Sequence, residues 1–65
     1  MNKYAVAFRH NEVDTVDVVT EYIDDGNYRL RTWDSYTCAD DFAVSCQDKN
    51  PRYTYWVISL EEVNG

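Results

Sequence analysis

Thr15-Val16-Asp17-Val18-Val19-Thr20-Glu21-Tyr22-Ile23-Asp24-Asp25-Gly26-Asn27-Tyr28-Arg29-Leu30-Arg31-Thr32-Trp33 decides how this chain folds. Residues 15–23 are rich in β-branched side chains (Thr15, Val16, Val18, Val19, Thr20, Ile23), which suit a pleated, half-buried surface. A helix competes, since Val16, Val19, Tyr22 and Ile23 also fit a helical stripe, but the residues that follow make a good hairpin. The sequence therefore predicts a strand. A three-residue loop, Asp24-Asp25-Gly26, ends on the residue that enters the left-handed region without a Cβ penalty. That register sets Tyr22 opposite Tyr28, Thr20 opposite Leu30 and Val18 opposite Thr32 on one mainly apolar face. The other face sets Glu21 against Arg29, Val19 against Arg31 and Asp17 against Trp33. A two-residue Asp25-Gly26 loop would pair Glu21 with Leu30 and Tyr22 with Arg29, mixing both faces, and is rejected.

On the N-terminal side, residues 3–10 alternate Tyr4, Val6 and Phe8 with Lys3, Ala5, Ala7 and Arg9, a half-buried strand. Asn11-Glu12 supplies its turn. On the C-terminal side, residues 38–49 predict a helix. Thr37 is placed to cap it, with Asp40 three residues on. Asp40 and Asp41 suit the positive end of the macrodipole and Lys49 the negative end. Ala39, Phe42, Ala43 and Cys46 form its buried stripe, and Asn50-Pro51 stops it. Residues 52–62 alternate Thr54, Trp56, Ile58 and Leu60 with Tyr53, Tyr55, Val57, Ser59 and Glu61, a last strand. The predicted class is α+β: one antiparallel sheet of about four strands, in the order β-β-β-α-β, with one helix on one face. A small all-β barrel is the alternative.

The 65 residues make one domain near the lower size limit for a single core, and ten aromatic side chains (15%) supply the bulk to fill it. No basic start followed by an apolar run marks a secretory signal, and the longest apolar run, Trp56-Val57-Ile58, is far too short to span a bilayer. Cys38 and Cys46 are read as reduced thiols, and the expected compartment is the cytoplasm. On one helix they lie eight residues apart, about 12 Å along the axis, too far for a disulfide.

Twelve acidic side chains face six basic ones, a net charge of −6. Six carboxylates (Glu12, Asp14, Asp17, Glu21, Asp24, Asp25) fall in a run without Lys or Arg, and residues 34–48 make a second such run. This field repels phosphates and accelerates encounter with basic partners, so direct nucleic-acid binding is disfavoured. Arg29 and Arg31 beside Trp33 and Tyr55 do not overcome it; they read as cross-strand partners of Glu21 and Asp17.

No enzymatic constellation is visible. His10, the lone histidine, ends a strand with no nucleophile or second base arranged beside it. The carboxylate pairs Asp24-Asp25, Asp40-Asp41 and Glu61-Glu62 are accounted for by a turn, a helix start and a strand end. The Asp24-Asp25-Gly26-Asn27 stretch lacks the alternating ligands and distal Glu of an EF-hand, so no metal and no cofactor are expected.

If Tyr4, Val6, Phe8, Val16, Val18, Tyr22, Tyr28, Leu30, Trp56, Ile58 and Leu60 face the helix, nothing remains to cover Val19, Trp33, Tyr53, Tyr55 and Val57. The predicted contact surface is thus Trp33, Tyr53, Tyr55 and Val57, with Arg29 and Arg31 at its rim and Asp14, Asp17, Glu21, Asp24 and Asp25 steering a basic partner. In size and charge the chain resembles small phage-encoded proteins that disable host machinery, among them inhibitors of RNA polymerase, restriction systems and CRISPR effectors. The resemblance implies a non-enzymatic protein-binding inhibitor, acting by occlusion or by mimicry in a phosphate groove. Its expected partner is a protein or nucleoprotein complex with a basic surface, without direct nucleic-acid or membrane contact. The alternative is a homodimeric structural or assembly protein.

Overall fold

The computed structural model describes residues 3–60. Five strands and one helix follow in the order β1 Lys3–His10, β2 Val16–Val18, β3 Thr20–Asp24, β4 Asn27–Leu30, α1 Tyr36–Lys49 and β5 Tyr53–Leu60. The class is α+β, as the alternation of apolar residues predicts. The sheets are open and antiparallel, so the barrel alternative does not hold. One extra strand appears because the predicted second strand splits at Val19.

That split shapes the molecule. β1 lies at the centre of a three-stranded sheet, between β2 and β5. β2 runs along β1 with Ala7 opposite Val18 and Arg9 opposite Val16. At Val19 the chain gives its amide to the Val6 carbonyl and accepts from the Arg31 amide. β3 and β4 leave the sheet edge there as a two-stranded arm. The chain rejoins β1 at Trp33, whose amide and carbonyl both bond to Tyr4. Val18 therefore pairs with Ala7 and Trp33 with Tyr4; the predicted Val18–Thr32 and Asp17–Trp33 pairs do not form.

Within the arm the predicted register holds: Tyr22 faces Tyr28, Glu21 faces Arg29 and Thr20 faces Leu30. The turn reaches it by another route. Asp24 pairs with Asn27, leaving a two-residue Asp25-Gly26 loop in which both residues have positive φ, 38° and 82°. This is the loop that the sequence reading rejected. A bulge between Tyr22 and Asp24 absorbs the odd residue, so the short turn and the unmixed faces coexist.

The helix begins earlier than predicted. Ser35, with extended backbone, occupies the cap position, and no side chain caps the helix start. Thr37 lies inside the first turn, so it is not the cap. Asp40 and Asp41 fall beyond that turn and do not meet the dipole as the reading expected. The other end behaves as predicted: Lys49 is in the last turn, and Asn50 returns its amide to the Cys46 carbonyl before Pro51.

The helix packs on the side of the sheet carrying Val6. Val6, Ala39 and Ala43 form the buried centre, flanked by Tyr4, Val19, Trp33, Phe42, Tyr55 and Val57. The register explains the arrangement. Val6 pairs with Val57 and Phe8 with Tyr55, while Ala5 pairs with Ile58 and Ala7 with Trp56. Directly opposed residues of an antiparallel pair share a face. The helix therefore covers Tyr4, Val6, Trp33, Tyr55 and Val57, and leaves Val16, Val18, Trp56, Ile58 and Leu60 on the far side. The expected assignment of β5 and of the arm to the helix was inverted.

Candidate protein-binding surfaces

The predicted contact surface is dispersed by this inversion. Trp33 stacks on Phe42 with ring centroids 5.0 Å apart. Arg31 lies over both rings, its guanidinium carbon 4.9 Å from the Trp33 centroid and 5.0 Å from that of Phe42. Val57 packs against the same core. These residues close the helix–sheet layer and do not form an uncovered patch. The short connection accounts for it: two residues, Asp34 and Ser35, separate Trp33 from the helix, so the helix lies on the side that Trp33 faces. Arg29 is committed to Glu21 at 3.1 Å, as the arm register predicts.

Tyr53 and Tyr55 have a different role. β5 is the outer strand, and the Gln47 side chain acts on its edge as a further strand would. Gln47 Nε2 donates to the Tyr53 carbonyl, and the Tyr55 amide donates to Gln47 Oε1 at 3.0 Å. Burial pushes the Tyr55 phenol above its usual 10.0, with Cys46 and Tyr53 acting in the same direction and a hydrogen bond from Asn50 opposing them. Beside this clamp a groove of about 570 Å³ runs between α1 and β5. Asp40 and Asp48 lie along it, with Val44, Gln47, Pro51 and Tyr55 among its lining. Of the predicted contact residues, only Tyr55 lines it. Val44, 60% exposed, is the conspicuous one missed. Its signal was present: an apolar residue on a helix outside the predicted stripe.

The acidic run 12–25 does not converge. Asp14 approaches Arg9 at 4.0 Å, and Asp24 accepts from the Asn27 side chain at the arm's turn. Asp17 lies opposite Phe8 on β2. Among the described residues, Glu12, Asp17, Asp24, Asp25, Asp40, Asp41 and Asp48 have no ion-pair partner. No group of three or more metal-ligating side chains occurs among the described residues. His10 packs edge-on against Tyr53 at 5.0 Å and accepts the Glu12 amide through Nδ1. It closes the strand end, and a recess of about 420 Å³ adjoins it, lined by Asn11, Glu12, Pro51 and Arg52. Glu61 and Glu62 lie outside the described residues.

A second surface arises where the reading placed the core. Along β5, Trp56, Ile58 and Leu60 face away from the helix; along β2, Val16 and Val18 do. Val19 and Arg31 face the helix side, so alternation places Thr20, Tyr22, Tyr28 and Leu30 on the far side with them. The Tyr22 and Tyr28 rings meet edge-on at 5.5 Å, yet remain 60% and 63% exposed. All five strands thus contribute to one helix-free apolar side. No described helix is long and apolar enough to cross a membrane. No protein-family model, curated protein or solved structure matches this chain.

Proposed function

We propose that this protein is a small acidic binding module for a basic protein surface. The observation that carries the reading is the α1–β5 groove. Its carboxylates, Asp40 and Asp48, border a recess lined by Val44, Pro51 and Tyr55. An Arg or Lys side chain needs both parts, an apolar bed for its stem and an anion for its head. The uncompensated carboxylates on the rest of the surface extend the field that would draw such a partner in. A basic surface of this kind normally serves a phosphate backbone, so the module would act on a nucleic-acid-handling protein by occupying that surface. Occlusion requires no chemistry from the module itself.

The test uses a fluorescent nine-residue arginine peptide and its lysine counterpart, with binding read by anisotropy. The wild type should bind the arginine peptide more tightly, and affinity should fall as salt rises. Asp40→Asn with Asp48→Asn should cost about 1–2 kcal/mol, mostly in dissociation. Asp24→Asn with Asp25→Asn, far from the groove, should slow association and do little else. Equal losses from the two double variants would reduce the groove to ordinary surface charge and refute the proposal.

A further inference from the structure

We propose that the helix-free side of the sheet and arm is closed by a second copy of this chain, in a two-fold dimer with helices outermost. One copy leaves much of its apolar surface unburied. Among the described residues only Ala5, Val6, Ala7, Ala39 and Ala43 are buried, four of them alanines. Chains of this size that cannot fill a core commonly complete it by oligomerisation. A sheet face left to water carries polar residues at alternate positions. Here those positions hold Val16, Val18, Trp56 and Ile58.

The molecule's longer extents, 38 and 30 Å, set an upper limit of about 1,100 Å² on this side, which leaves room for the roughly 800 Å² per partner of a standard interface. The shortest extent, 21 Å, fits one sheet and one helix layer, so two copies would make a sheet-on-sheet sandwich.

β1 contributes Lys3 and Arg9 to this side, at opposite ends of an eight-residue strand. Each has a carboxylate alongside, Asp34 at 3.8 Å and Asp14 at 4.0 Å. With the two β1 strands antiparallel, Lys3 of one copy lies over the Asp14 end of the other, and Arg9 over the Asp34 end. Such an arrangement is self-complementary, as a two-fold contact must be. A basic partner would instead meet Lys3 and Arg9. The α1–β5 groove has Trp56 in common with this side, but its carboxylates Asp40 and Asp48 lie on α1 and are untouched by changes at Val18 or Tyr28, so this inference and the proposed function can fail separately.

Sedimentation equilibrium from about 1 to 500 µM should approach twice the 7.7 kDa chain mass, and the thermal midpoint should rise with protein concentration. Val18→Glu should weaken dimerisation about 30-fold or more, the scale of an interface hot spot. Tyr28→Glu on the projecting arm repeats the test at a side chain that supports no core. Ser45→Glu, at an exposed position of α1, should leave it unchanged. A monomer throughout this range, or a dimer indifferent to Val18→Glu and Tyr28→Glu, overturns the proposal.

Discussion

Replacing Gln47 with alanine tests how this small sheet protects its outer strand. Gln47 serves two backbone groups at once, the Tyr53 carbonyl and the Tyr55 amide, both partly buried. A net contribution of about 0.5–1.5 kcal/mol for each bond puts the loss between about 1 and 3 kcal/mol. Water can reach an edge strand and replace part of what is lost, so the lower half, about 1–2 kcal/mol, is expected. For a domain of this size that corresponds to a fall of roughly 5–15 °C in the thermal midpoint. Comparisons belong at one fixed protein concentration, where self-association is held constant. Gln47→Glu keeps the acceptor for the Tyr55 amide but sets a carboxylate against the Tyr53 carbonyl, so it should not restore stability. Hydrogen exchange makes the test local: the Tyr55 amide should lose protection in Gln47→Ala, while the Tyr4 and Trp33 amides, which bond each other's carbonyls, should keep theirs. The freed edge should also raise the tendency to aggregate. Unchanged stability with unchanged Tyr55 protection would refute the view that Gln47 substitutes for a strand.

Phe42→Ala removes the ring on which Trp33 and Arg31 stack; because the ring is only half-buried, the expected cost is about 2–3 kcal/mol by urea denaturation, below the 3–5 typical of a fully buried aromatic. Gly26→Val should cost about 1–2 kcal/mol; a Cβ there meets nothing within 4 Å, so the loss is backbone strain at φ 82° and Gly26→Asn should recover much of it. The raised Tyr55 phenol favours the folded state while neutral. Its contribution is complete below the unfolded value of 10.0 and is lost as pH rises through the raised folded value, so Tyr55→Phe should flatten the fall in stability on the alkaline side. An alkaline limb identical in Tyr55→Phe would show that other groups set it.

The limits of the predicted elements follow from what each residue could report. β1 was read to the residue because Tyr4, Val6 and Phe8 alternate cleanly with smaller or charged neighbours. The arm register was legible because only one pairing sets Glu21 against Arg29 and Tyr22 against Tyr28. The bulge was not, since nothing local distinguishes a three-residue turn from a two-residue turn preceded by a bulge. The helix end at Asn50-Pro51 was marked by proline; its start lacked a side-chain cap, and Thr37 was a false signal.

Local periodicity, then, determined β1, β5, the helix and the α+β class, because each depends on neighbours a few residues away along the chain, whereas the split at Val19 rests on its bonds to Val6 and Arg31. Tertiary structure alone decided which side the helix covers. β1 and β5 are apolar on both faces, with Val6, Tyr55 and Val57 on one and Ala5, Ala7, Trp56 and Ile58 on the other. Alternation sorts residues into two faces but cannot say which face of β5 joins which face of β1, and a one-residue change of register exchanges them. The short Asp34-Ser35 connection, the Trp33–Phe42 stack and the close seating of Ala39 and Ala43 against Val6 made that choice together. In consequence Trp33, Tyr55 and Val57, expected on an open face, pack against the core, while Val16, Val18, Tyr22, Tyr28 and Leu30, expected beneath the helix, are exposed.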